Sequence, residues 1–217
     1  MGLYTMGVPQ KLVKILQKQY NINTFVETGT YMGGTSVWAS DHFKKVITIE
    51  NSRPIFEKTS DRYKHLKNID FLYGHSKEHL KNIVLNLDEM AIFWLDAHWS
   101  GGETYGINDE CPLIEEIKII NNTKLNHIIL IDDARLFIKP PPPPHKPEQW
   151  ANISQIISQI NEIENRYCFI ADDVIGVVPN SSLQNLSPYF ADVSAFEQRT
   201  ISKNSSFFNK VKRKLNF

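Results

Sequence analysis

Cysteine is scarce in this chain of 217 residues, and its two thiols, Cys111 and Cys168, stand far apart. Such a pair builds neither a disulfide framework nor a Cys-x-x-Cys metal clip, which suggests a reducing, cytoplasmic setting. Each reads as a small buried hydrophobe. Net charge is also missing, because 24 Lys and Arg balance 24 Asp and Glu, so the chain as a whole has no field that would favour nucleic acid. No segment approaches the roughly 18 uninterrupted apolar residues of a membrane span. The N-terminus lacks the cationic, long-apolar pattern of a secretion signal. No internal repeat is visible.

What the chain does have is Phe25-Val26-Glu27-Thr28-Gly29-Thr30-Tyr31-Met32-Gly33-Gly34-Thr35, followed by Val46-Ile47-Thr48-Ile49-Glu50. This reads as strand, glycine turn, helix, second strand, and an acid at that strand's end. Glycines let a backbone approach a ligand closely, and a helix start offers free N–H groups to a polar or anionic group. Glu50 lies about 20 residues beyond the first glycine, where an acid can accept both hydroxyls of a ribose. The plainer alternative is a tight turn with a solvated Glu after it.

Alternating periods continue along the chain. Helices are expected over 9–20, 33–43, 54–65, 76–87, 112–121 and 148–162, and strands over 24–28, 45–50, 68–73, 90–96 and 127–132. Two further strands, 167–170 and 174–178, are joined by a tight acidic turn through Asp172 and Asp173. The expected fold is α/β: a Rossmann-like, doubly wound, mostly parallel seven-stranded sheet ending in an antiparallel hairpin. Ligands bind such sheets at the carboxyl ends of the strands, near the switch in strand order. Glu27, Glu50, Asp96, Asp132 and Asp133 all fall at expected strand ends. The chain divides into an N-terminal helical segment (1–23), the sheet domain (24–180) and a weakly structured, basic tail (181–217).

Residues 24–178 resemble the class I S-adenosylmethionine-dependent methyltransferases, through Glu27-Thr28-Gly29-Thr30 with Gly33-Gly34, Glu50, Asp96 and the closing hairpin. The resemblance implies that Glu27, Gly29 and Thr30 hold the methionine part of the cofactor, that Thr28 and Gly33 also belong to the cofactor site, and that Glu50 takes the ribose hydroxyls. It places Gly74-His75-Ser76 at the adenine edge, with His75 where an acid is common, and gives Asp96 a cofactor contact. The glycine turn departs from a full G-x-G-x-G. Leu95-Asp96-Ala97-His98 and Ile131-Asp132-Asp133-Ala134 further resemble the metal site of sugar O-methyltransferases of the macrocin and novobiocin type. That implies Mg²⁺ on Asp96, Asp132 and Asp133, a sugar or nucleotide-sugar acceptor, and His98 as the base. A hard dication on carboxylates lowers the pKa of a bound alcohol, and a histidine near neutrality can take its proton.

Several readings stay open at this level. Asp96 could cap the next turn, Asp132-Asp133 could cap a loop and pair with Arg135, and His98 could be packed beside Trp99. An iron site of two histidines and a carboxylate lacks an obvious second histidine. A metal-independent methyltransferase, an NAD dehydrogenase and a non-catalytic binding module are the rival functions; the turn lacks G-x-G-x-x-G, which disfavours NAD. The aromatic, glycine-rich stretch 99–106 has a lid's composition, and Asp109-Glu110 sit where acids cap a helix. Pro140 to Pro144, with His145 and Lys146, must be extended and would wall the acceptor pocket or dock a partner. The first helix, with Tyr4 and Met6 before it, would cover the site or form a homo-oligomer contact.

Overall fold

The computed structural model describes residues 7–99, 106 and 109–195. The segments with Tyr4 and Met6, most of the expected lid and the basic tail 209–214 lie outside the described residues. Five strands run parallel: β1 (Thr24–Thr28), β2 (Lys45–Glu50), β3 (Ile69–Tyr73), β4 (Ala91–Leu95) and β5 (Ile128–Ile131). With β6 (Arg166–Ala171) and β7 (Val174–Pro179) they form one seven-stranded sheet of order β3-β2-β1-β4-β5-β7-β6. β7 runs antiparallel to both its neighbours. The expected Rossmann-like sheet with a closing hairpin is therefore present.

The apolar runs of β1, β4 and β5 are buried throughout because helices cover both faces. Alternate residues feed two cores. Val26, Phe93 and Ile129 pack with α4 (Ser76–Leu85), α5 (Leu113–Asn121) and α7 (Ile153–Ile160). Phe25, Ile92 and Ile128 pack with α1 (Gln10–Tyr20) and α2 (Gly34–Ser40). α3 (Arg53–Tyr63) links β2 to β3, and the one-turn α6 (Arg135–Ile138) follows β5. Among the described residues no helix is long and apolar enough to cross a membrane.

Two elements differ from the sequence reading. The helix expected over 148–162 begins only at Ile153, because Asn152 and Gln155 form a reciprocal capping box there. Trp150, upstream of that cap, is extended, yet it is buried in the same core as Ile156 and Ile160. The hairpin loop is the expected pair Asp172 and Asp173, both at positive φ (51° and 62°), which lets a two-residue turn follow the strand twist. Beyond Pro179 the chain does not fade: residues 183–195 are helical, and Leu186 and Tyr189 are buried in the α1-side core. Lys11 pairs with Asp192, and Tyr20 bonds Ser182 at 2.8 Å, tying this helix to α1.

Candidate active site

Strand order reverses between β1 and β4, so the carboxyl ends of those strands flank a crevice. The glycine turn stands there. Gly29 has φ +90°, and a side chain on it would collide with the backbone carbonyl of Asp96. Only glycine serves at this position, and the turn is thereby pressed against the end of β4. The N–H groups of Gly29 and Thr30 donate to the Ile49 carbonyl at 3.0 and 3.2 Å. Gly33, also at positive φ, precedes α2.

Glu50 closes the turn from the β2 side. One of its carboxylate oxygens accepts the Tyr31 N–H at 2.9 Å and the other the Ser52 N–H at 2.8 Å. A carboxylate oxygen has two lone pairs, so each retains capacity for a hydroxyl donor. Glu27 is buried beneath the turn and accepts from Ser36 and from Thr48 (2.7 Å). The Thr48 proton being spent on Glu27, Thr48 accepts from the Thr30 hydroxyl at 2.6 Å. Burial pushes the Glu27 carboxyl up to about 7, against the hydroxyl donors of Ser36, Thr48 and Thr35. Thr28 is fully buried at the end of β1. On the far side His75 Nδ1 lies 3.0 Å from the amide nitrogen of Asn51, which brings the β3–α4 turn, with Ser76 beside it, to the same edge.

The second cluster lies across β1 at the ends of β4 and β5. His98 Nε2 is 3.3 Å from Asp96 Oδ1 and 3.0 Å from Asp133 Oδ2. Asp132 Oδ1 accepts the Asp133 N–H at 2.8 Å. Arg135 Nη1 lies 2.5 Å from Asp133 Oδ1 and also pairs with Asp173 of the hairpin turn. Burial alone would lower the His98 pKa, but the bond to Asp133 and the charges of Asp96, Asp133 and Asp132 carry it up to about 9. Burial, with Asp132 and Glu27 nearby, raises Asp96 well above the usual carboxylate range against the pull of His98. Asp132 rises to about 6 through burial and the Asp133 charge. Despite burial, Asp133 is held below its ordinary value by His98 and Arg135.

The Mg²⁺ site expected on Asp96, Asp132 and Asp133 does not match this arrangement. A Mg²⁺ ion needs several carboxylate or water oxygens turned to one octahedral centre. Here the two Asp133 oxygens face His98 and Arg135, and one Asp132 oxygen is taken by the chain's own N–H. Among the described residues no three His, Cys, Asp or Glu side chains are grouped to hold a metal ion. The pairing of Asp133 with Arg135, the alternative reading of that pair, is observed.

Other residues complete the site. Glu110, expected to cap α5, is instead fully buried and accepts from Trp150 Nε1 (2.8 Å) and Lys146 N–H (3.0 Å). Its carbonyl accepts the Trp99 N–H at 2.7 Å, while Asp109 pairs with Lys77. Glu110 thus pins the proline segment against the loop at Trp99, and the Trp150 ring packs 5.4 Å from that of His98. Glu116 of α5 is also buried, and burial pushes its carboxyl up to about 7 against the Ser76 and Thr28 hydroxyls. Neither role was legible in spacing, although an acid on the apolar face of α5 was a visible anomaly for Glu116. Asp173 had a signal too, in the acidic hairpin turn.

The sheet order, the switch-point turn and the closing hairpin together define the class I methyltransferase fold. No protein-family model matches the sequence, and no curated protein matches it either. Among solved structures, the SAH-bound methyltransferase PaMTH1 of Podospora anserina is 17% identical, at TM-score 0.53 with 80% of each chain covered. A Klebsiella pneumoniae protein assigned as an O-methyltransferase is 11% identical, at TM-score 0.56, with 82% of this chain and 83% of that one covered. A Staphylococcus aureus protein assigned as a caffeoyl-CoA O-methyltransferase is 16% identical, at TM-score 0.55, with 82% of this chain and 86% of that one covered. At these identities the likeness is one of fold.

Proposed function

We propose that this protein is an S-adenosylmethionine-dependent O-methyltransferase acting on a hydroxyl of a small molecule. One observation carries the reading: Gly29, at the cofactor turn, is pressed on the carbonyl of Asp96, so a donor site and an acid–base cluster share one edge. The cofactor would supply a methyl group on a positively charged sulfur. Gly29, Thr30 and the α2 start would take its amino-acid part, and Glu50 its ribose hydroxyls through the remaining lone pairs. His75 and Ser76 would border the base, and Glu27 and Thr28 would support the turn from below. The SAH-bound state of PaMTH1, a protein of the same fold, is consistent with this assignment.

On the acceptor side, His98 takes the hydroxyl proton and Asp96 and Asp132 orient the hydroxyl. With a pKa near 9, His98 is cationic at neutral pH in the ligand-free protein. It must release that proton before it can act, so turnover should rise with pH toward 9. Sugars and nucleotide-sugars head the acceptor panel, through the macrocin and novobiocin resemblance. Phenolic hydroxyls come next, through the Staphylococcus aureus neighbour assigned as a caffeoyl-CoA O-methyltransferase.

A methyl-transfer assay with labelled donor, run on acceptor pools with and without EDTA, tests the reading. Label should move to a hydroxylated acceptor, and Asp132→Asn should abolish transfer while leaving donor affinity nearly intact. Equal loss of both would assign Asp132 to the cofactor or the fold. Transfer that EDTA stops and Mg²⁺ restores would return the metal to the mechanism.

A further inference from the structure

We infer that Arg135, clamped by Asp173, is a built-in cation that occupies the place a divalent metal would take beside Asp133. It is a positioning residue, and the inference rests on the reading of Asp96, His98, Asp132 and Asp133 as the acceptor-side cluster.

Three features lead there. First, Asp133 sits at φ 58°, an unusual backbone for a residue with a side chain, and its two oxygens are shared between Arg135 at 2.5 Å and His98 at 3.0 Å. A guanidinium keeps its charge in any protein environment and matches a carboxylate geometrically, so Asp133 has a permanent counter-ion. Second, Arg135 is itself held. Its backbone N–H donates to Asp173 Oδ1 at 2.9 Å and its guanidinium reaches Asp173 Oδ2. The preceding Ala134 N–H donates to the Asp173 carbonyl at 2.8 Å. Swinging the arginine side chain away to admit a metal would break the guanidinium's bond to Asp173. Third, the clamp is anchored in the core. Asp173 belongs to the β6–β7 turn, and its neighbour Asp172 accepts the hydroxyl of buried Tyr189 at 2.8 Å. The hairpin and the helix 183–195 are thereby tied to Arg135 through hydrogen bonds.

The consequence is an acid cluster oriented by a tethered charge, in which Asp133 stays aimed at His98 whether or not divalent cations are present.

Mn²⁺, used as a paramagnetic probe, tests this in titrations followed by calorimetry and electron paramagnetic resonance. The wild-type chain should bind Mn²⁺ no tighter than the millimolar range. Arg135→Gln should bind at least about tenfold tighter, because a positive charge a few ångströms from the dication is gone. Arg135→Lys, which keeps the charge, should stay at the wild-type level, and Asp173→Asn should fall between them. One Mn²⁺ bound per wild-type chain at micromolar concentration and lost in Asp133→Asn would overturn the inference. So would an Arg135→Gln chain that binds no tighter than wild type, or an Arg135→Lys chain that behaves as Arg135→Gln. S-adenosylmethionine affinity, measured on the same samples, separates the two claims. Donor binding without the Mn²⁺ gain removes only the role of Arg135, whereas no donor binding to the wild type removes the methyltransferase reading.

Discussion

Gly29 is the residue at which chemistry and architecture meet most tightly. Its positive φ and its contact with the Asp96 carbonyl leave no volume for a methyl group. Gly29→Ala should therefore displace the turn or the end of β4, and donor affinity should fall by more than tenfold in calorimetric titration while the far-ultraviolet spectrum stays native. Unchanged affinity would mean the turn is not the cofactor seat. Glu50, Asp96, Asp132 and Asp133 were legible because each ends a strand, and strand ends are readable from the apolar run before them. Glu110 was not, because its partners Lys146 and Trp150 lie 36 and 40 residues onward. Its apparent capping position concealed a tertiary role. Glu110→Ala leaves a buried Trp150 N–H without an acceptor and should cost about 2 kcal/mol in urea unfolding. A change below about 0.5 kcal/mol would show that the proline segment is held by something else.

At the scale of elements, the strands of the parallel sheet were readable almost to the residue, because burial on both faces selects unbroken β-branched and aromatic runs. Helix ends were less so. Capped by Asn152, α7 starts at Ile153, five residues after the expected position, since the capping box outweighs the helical spacing of Trp150. The helix 183–195 was missed although Leu186, Tyr189, Phe190 and Val193 follow helical spacing and all join the α1-side core. Leu186→Ala should cost about 2–4 kcal/mol of stability, the usual range for a fully buried leucine. A cost below 1 kcal/mol would make this helix peripheral to the fold.

The entry to β4 has a pH-sensitive contact. His127, immediately before β5, is buried, and its Nδ1 accepts the Ala91 N–H at 3.1 Å, which requires a neutral ring. Burial, with the Arg166 charge, lowers its pKa from 6.5 to about 4. A depressed folded-state pKa contributes stability that is full above 6.5 and is lost as pH falls through 4. His127→Asn keeps an acceptor for Ala91 but does not titrate, so the loss of stability between pH 6.5 and 4 should be shallower than in the wild type. Parallel profiles for the two chains would remove His127 from the acid response.

For the whole molecule, the order β3-β2-β1-β4-β5-β7-β6 does the organising work. It brings Glu50 from one half of the sheet and Asp96, Asp132 and Asp133 from the other to a single edge. The hairpin then adds Asp173 from the far side. Local pattern conveyed the fold and the acids, whereas the pairing of those acids with Arg135 and His98 depends on which strands become neighbours. That is why a metal was expected where the structure has a guanidinium and an imidazole.

The most direct measurement is calorimetric titration of S-adenosylmethionine into the wild-type chain and into Glu50→Ala, with NAD as the control ligand. The proposed function predicts one donor bound per chain at micromolar affinity, at least tenfold weaker binding to the variant, and no heat with NAD. No donor binding to the wild type, or equal binding to both chains, would contradict it.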